Sequence, residues 1–241
     1  MLGAVPDPHD PSAGSGGHGT GGRPGAGSYQ GVIIDWGGVM TGPVMDSVRI
    51  WLDAEYIDHD TYLAALRPWM RAAYAEDGDG NPVHALERGE CTSAEFEREL
   101  AARLVRRDGG TVAADGLLAR MFAATVPSEP MYTAVRALRA AGLRTCLLSN
   151  SWGSDGYPRE ILPELFDAVV ISAEVGMRKP EERIFRHAVG LLGLAPGECV
   201  FIDDMPANIQ AAEALGMRGV LHGEAATTVA GLAELFGVPL Y

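Results

Sequence analysis

Cysteine is scarce in this chain: there are three, and none belongs to a Cys-x-x-Cys pair. Cys146 and Cys199 lie inside apolar runs, and Cys91 opens a polar helix. The pattern offers no disulfide framework and no zinc motif, and it reads as reduced, structural thiols in a cytoplasm. Basic residues are also few. Nineteen Lys and Arg stand against 32 Asp and Glu, a formal net charge of -13. Nucleic-acid binding is driven by neutralising phosphates with Lys and Arg, so this balance argues against DNA or RNA partners. It argues equally against attraction to an anionic membrane. No segment approaches the ~20 consecutive apolar residues that span a bilayer, and the N-terminus lacks the basic and apolar regions of a secretory signal. A small anionic ligand is left, to be held by local cations in a pocket.

What is there suits a globular enzyme-sized chain. At 241 residues and 47% hydrophobic, it can form one α/β core plus a smaller insert. Residues 1–28 stand apart, dominated by Gly, Pro and Ser. Such a stretch buries too little apolar surface to offset an ordering cost of about 1–2 kcal/mol per residue, so a disordered tail is expected. His9 and His18 fall in it and show no ligand pattern.

Order is expected from Tyr29. The run Gly31-Val32-Ile33-Ile34 reads as a buried strand ending at Asp35, followed by a turn-rich segment, Trp36 to Pro43, too glycine-dense for a helix. From Val44 to Thr125 the texture is helical. Helices are expected over Met45–Ile57 and Thr61–Tyr74, a polar loop over Glu76–Asn81, and a further helix over Val112–Ala124. Thr92-Ser93-Ala94-Glu95 is a capping box, in which hydroxyl and carboxylate satisfy orphan amides at a helix start. Trp51 and Trp69 fall at helical spacing, as anchors of this segment's own core.

After Pro127 strands and helices alternate. Ser128 opens a helix through Ala141, with Pro130 in its first turn. Strands are expected at Leu143–Leu148, Ala168–Ser172, Cys199–Ile202 and Gly219–His222, and helices at Arg159–Phe166, Glu181–Leu192, Ala207–Leu215 and Ala226–Phe236. Short buried strands alternating with helices imply a parallel sheet with right-handed crossovers.

Four signals stand at or just beyond strand ends, the edge where open parallel sheets bind ligands. Asp35 ends the first strand. Ser149-Asn150 follows Leu147-Leu148 and offers a hydroxyl and an amide. Lys179, in Gly176-Met177-Arg178-Lys179-Pro180, is a compact cation that can reach inward. Asp203-Asp204 places two acids side by side, which is costly unless a hard cation compensates them; Mg²⁺ suits such a donor set. Alone, each has a bland alternative: a cap, a turn, a surface lysine.

Together these stretches resemble the haloacid dehalogenase superfamily. The resemblance rests on Ile34-Asp35-Trp36-Gly37-Gly38-Val39, Leu148-Ser149-Asn150-Ser151-Trp152, Arg178-Lys179-Pro180-Glu181 with Ile184-Phe185, and Phe201-Ile202-Asp203-Asp204 with Asn208. It runs from Tyr29 to about Gly223 and is nearest to sugar-phosphate phosphatases and to the N-terminal phosphatase domains of soluble epoxide hydrolases. It implies a Rossmann-like parallel sheet, strand order 5-4-1-2-3, sandwiched by helices. The core would be 29–43 with 126–241, and 44–125 an inserted helical cap. It implies a Mg²⁺-dependent phosphatase in which Asp35 is phosphorylated. Ser149 and Asn150 would bind the phosphoryl group and Lys179 would offset its charge. Asp35, the Gly37 carbonyl, Asp203 and Asp204 would hold the metal, with Asp204 first among the acidic pair and Asn208 orienting it. The partner is then a small phosphate monoester, and the chain a monomer or homodimer.

One departure matters. Most phosphatases of this superfamily carry a second Asp two residues after the nucleophile, where this chain has Gly37. General acid–base help is worth ~10²–10⁴-fold. Asp46, His84 and Glu87 are candidate substitutes, each with a plainly structural alternative. Trp152 either lines the pocket or packs in the core, and His187 and His222 read as packing residues. Two other functions stay open: 2-haloacid dehalogenation, which needs no metal, and a binding protein that has lost turnover.

Overall fold

Five short apolar runs pair in parallel: β1 (Gly31–Ile34), β2 (Arg144–Ser149), β3 (Ala168–Ile171), β4 (Cys199–Asp203) and β5 (Arg218–Leu221). The order across the sheet is β3-β2-β1-β4-β5, which is the expected 5-4-1-2-3 read from the opposite edge. The computed structural model describes residues 29–73, 80–153 and 156–240. The expected tail at 1–28, with His9 and His18, lies outside them, as does most of the expected loop at 76–81.

Alternation along the strands builds two apolar faces. Val32 and Ile34 of β1 join Leu147, Val200 and Ile202 in one cluster, under α6 (Glu129–Ala140) and α11 (Ala225–Phe236). Ile33 points the other way, with Cys146, Leu148 and Phe201, beneath α9 (Glu182–Leu192) and α10 (Pro206–Ala214). Both faces are covered, which is why these strands read as unbroken hydrophobic runs. β1 sits in the centre, with Ile34 level with Leu147 on one side and Ile202 on the other. That register brings the C-terminal ends of β1, β2 and β4 to one edge.

Between β1 and β2 the chain forms α1 (Val44–Ala54), α2 (His59–Ala73), α3 (Pro82–Glu87), α4 (Ser93–Ala101) and α5 (Leu117–Met121). These helices share a separate hydrophobic cluster containing Trp51, Phe96, Leu100, Leu117 and Met121, with Trp69 and, from beyond β2, Trp152 packed against it. The expected helix at 112–124 is cut to α5. Gly116 takes a left-handed conformation at φ 64°, and the Glu97 carboxylate accepts from the Gly116 and Leu118 amides at 3.2 and 2.9 Å. A carboxylate brought in from α4 therefore caps the helix where the glycine ends its backward extension. The expected helix at 159–166 shrinks to α7 (Leu162–Leu165), with Pro163 in its first turn. Ser128 makes no capping hydrogen bond. α3 was not expected, although Asn81-Pro82 is a start signal: the Asn81 side chain accepts from the Val83 amide at 2.9 Å. α8 (Ser172–Val175) follows β3 directly.

The capping box at α4 forms as expected, Thr92 accepting from the Glu95 amide while the Glu95 carboxylate accepts from the Thr92 amide at 2.8 Å. Thr92→Ala is expected to cost about 1 kcal/mol. A thermal melt should show it as a fall of roughly 2–4 °C.

Candidate active site

At the shared edge of β1 and β4 a lysine is buried between two acids. Lys179 is 1% exposed, and its ammonium donates to Asp35 Oδ1 at 2.7 Å and Asp203 Oδ2 at 2.6 Å. Asp35 follows β1, where its amide donates to the Ile202 carbonyl at 2.9 Å. Asp203 ends β4, fully buried. Burial would lower the lysine's pKa, but Asp203 and Asp35 outweigh it and hold the ammonium above its ordinary value. Burial pushes the Asp35 carboxyl up to about 7; Lys179 opposes the push, while Asp203 and Asp204 add to it.

The loop carrying Lys179 is lashed to the end of β2. Asn150 Nδ2 donates to the Lys179 carbonyl at 3.0 Å, and the Lys179 amide donates to Asn150 Oδ1 at 2.8 Å. Both ends of the Asn150 amide are thus engaged by the lysine's backbone, a task its expected phosphate contact did not foresee. Ser149 lies beside it with its hydroxyl 2.8 Å from the Tyr157 hydroxyl. Asn208, expected to orient Asp204, instead donates to both oxygens of Asp203, at 3.0 and 3.1 Å. Asp203 is the acid that points back into the sheet over α10, so the amide one turn along reaches it. The Met205 amide completes its set at 2.8 Å.

Asp204 is the more open of the two neighbours. Burial raises its carboxyl, Asp203 adds to the rise, and Lys179 opposes it. One oxygen each from Asp35, Asp203 and Asp204 fall within 4.8 Å of one another. Gly38, at φ 77°, leaves the space for this: a Cβ there would lie 2.5 Å from Asp204 Oδ2. Gly37 precedes it in the same turn, two residues after Asp35. Three carboxylates share one ammonium, and the donor set is all oxygen. The residues present therefore fit a hard divalent cation.

The three candidate acid–base substitutes part company. Asp46 is on the surface of α1, paired with Arg49 at 3.0 Å. His84 is buried in α3. Glu87, at the end of α3, meets Arg178 in an ion pair with both side chains buried, and the next residue, Arg88, pairs with Glu181. These two pairs flank Lys179-Pro180 and join the helical insert to the site's own loop. Burial raises the Glu87 carboxyl, opposed by Arg178 and by Trp152 and Lys179. Gly89, at φ 70°, rests against α8, where a Cβ would lie 2.6 Å from the Ala173 carbonyl oxygen. Trp152 packs its ring on Phe96 and Phe122 at 5.6 and 6.2 Å, on the insert's side of the seam. The His222 ring shares a hydrogen bond with the Thr228 hydroxyl at 2.9 Å, while its amide donates to the Asp203 carbonyl at 2.9 Å.

The model of the haloacid dehalogenase-like hydrolases matches residues 29–216. The chain belongs to that family. It is 30% identical over 92% of its length to acyl-CoA dehydrogenase family member 10 of Mus musculus, and 28% identical over 73% to bifunctional epoxide hydrolase 2 of Rattus norvegicus. It spans only 20% and 34% of those two proteins. It is 31% identical to a phosphoserine phosphatase of Thermus thermophilus over 69% of this chain and 66% of that one. Among solved structures, a haloacid dehalogenase-family enzyme of Bacteroides thetaiotaomicron in complex with magnesium and inorganic phosphate has the same fold. Its TM-score is 0.54 at 21% identity, covering 81% of this chain and 94% of that one. Phosphatases are among the chain's relatives. No helix of the described residues is long and apolar enough to cross a membrane.

The raised Asp35 carboxyl has a consequence for stability. Below about pH 4 it is protonated in folded and unfolded chains alike, and nothing is lost. As pH rises to about 7 the unfolded carboxyl ionises first, and the folded state gives up about 1.4 kcal/mol per pH unit. In chelator, Asp35→Asn should raise Tm at pH 8, with a gain that shrinks steadily toward pH 4.

Proposed function

We propose that this hydrolase is a Mg²⁺-dependent phosphatase acting on a small phosphate monoester, with a sugar phosphate as one candidate class. The convergence of Asp35, Lys179, Asp203 and Asp204 on one strand-end site carries this reading. Asp35 is the nucleophile: its carboxylate attacks phosphorus, the P–O bond to the ester alcohol breaks with its electron pair leaving on that oxygen, and water then cleaves the aspartyl-phosphate to free phosphate and the carboxylate. Asp35, Asp204, Asp203 and the Gly37 carbonyl are the atoms that would hold Mg²⁺, which when bound supplies positive charge against the repulsion between carboxylate and phosphate. Lys179 keeps Asp35 ionised and directed, and Asn150 fixes the backbone from which that lysine reaches. Asn208 fixes Asp203. Ser149 presents its hydroxyl to a phosphoryl oxygen. The relatives that are phosphatases, and the neighbour that holds magnesium and phosphate, support the choice.

Residues 44–125 act as a cap that covers the site and selects the substrate. With Gly37 at the usual acid position, a leaving group that needs little protonation is favoured. Glu87 is the substitute that reaches the site's own loop, through its ion pair with Arg178. Dehalogenation is disfavoured because it has no use for a third carboxylate at Asp204. Three free thiols, two of them buried, support a reducing, cytoplasmic setting.

A screen of phosphate monoesters should show phosphate release that requires Mg²⁺ and stops with Asp35→Asn. Asn208→Ala should cost roughly 10–100-fold in metal affinity or activity. Halide release from a 2-haloacid that persists in chelator would replace this reading with dehalogenation, and neither activity would leave a binding protein.

A further inference from the structure

Tyr157 lies in the loop after β2, and nothing in the sequence marks it as functional. Its hydroxyl is 2.8 Å from Ser149 Oγ, and its ring packs on Trp36, the residue after the nucleophile, with centroids 5.7 Å apart. The side chain is 9% exposed, and Asp35 and Lys179 are both near enough to act on its hydroxyl. Two hydroxyls that meet leave a choice of direction, since each can donate or accept. The choice decides what Ser149 can do. If Ser149 donates to Tyr157, it offers an incoming anion only lone pairs. If Tyr157 donates, the serine proton is released toward the site.

An anionic phosphoryl oxygen at Ser149 fixes the direction. It can only accept, so it draws the serine proton, and the Tyr157 hydroxyl is left to donate to Ser149 Oγ at 2.8 Å. Apart from Tyr157, Ser149 Oγ reaches only the Asn150 carbonyl, at 3.5 Å, among the described residues. A contact that long holds a proton weakly, and a phosphoryl oxygen displaces it.

We propose that Tyr157 is a positioning residue that donates its hydroxyl proton to Ser149 Oγ and thereby turns the serine proton toward the phosphoryl group. The proposal rests on the phosphate-binding role given to Ser149 above. It assigns Tyr157 no contact with substrate. Its hydroxyl also meets Ser151, but its effect on the phosphoryl group passes through Ser149, and that makes it separable from a packing role.

The test is a double-mutant cycle on the full chain, with p-nitrophenyl phosphate as substrate, saturating Mg²⁺, and inorganic phosphate as competitive inhibitor. Tyr157→Phe keeps the ring against Trp36, and an unchanged melting temperature checks that the fold survives. It should raise the phosphate inhibition constant and lower kcat/KM by roughly 3–10-fold, the worth of one hydrogen bond. Ser149→Ala should raise the inhibition constant and lower kcat/KM further. In the Ser149→Ala background, Tyr157→Phe should change neither quantity. Losses that multiply in the double variant overturn the proposal while leaving Ser149 as a phosphate ligand. So does a Tyr157→Phe enzyme indistinguishable from the parent. A Ser149→Ala enzyme that matches the parent removes the serine's phosphate role, and the proposal falls with it.

Discussion

A single buried ammonium organises this molecule's working edge. Lys179 sits between Asp35 and Asp203 with almost no access to water, and its ammonium donates to both acids. Removing the ammonium itself would strand two buried acids, a change that typically costs about 3–5 kcal/mol. The surrounding hydrogen bonds are arranged around that fact. Asn150 grips the lysine's backbone on both sides, and Asn208 and the Met205 amide hold Asp203 in the one orientation that meets the ammonium. The central strand does the rest by fixing where Asp35 begins.

One lysine cannot balance three carboxylates, and the imbalance is what makes the site chemically useful. Asp35 and Asp204 are both pushed toward their neutral forms. A divalent cation bound among the three acids would relieve both at once. The empty space at Gly38 serves the same end, since any side chain there would occupy the approach to Asp204. In this light the glycines after the nucleophile do two things: they turn the chain away from β1 and they keep the acid cluster open.

Much of this was legible from sequence because strand ends leave plain signatures. A short β-branched run stopping at an acid located Asp35, and Cys199-Val200-Phe201-Ile202 before two acids located Asp203 and Asp204. Parallel pairing then brings such ends together without further information. What could not be read were choices made by long-range contacts. Asn208 serves Asp203 and not Asp204 because of the direction in which β4 delivers each side chain, and Asn150 turns to a backbone 29 residues away. α5 starts where Glu97 arrives from another helix. Tyr157 lies in a glycine-containing loop with no periodicity, and only the fold shows that it reaches Ser149. α3 was passed over because six residues are too few for a periodic signal, although Asn81-Pro82 announces it.

The crossed pairs at the end of α3 bear on how the helical insert can move. Glu87 and Arg88 present opposite charges to Arg178 and Glu181, on either side of the lysine, and Gly89 lets the backbone rest directly on α8. Separating that seam would expose partners matched in both sign and order. A plate riveted along one edge is fixed there, so α3 keeps its seat against the loop of Lys179 and helps hold the lysine in its place.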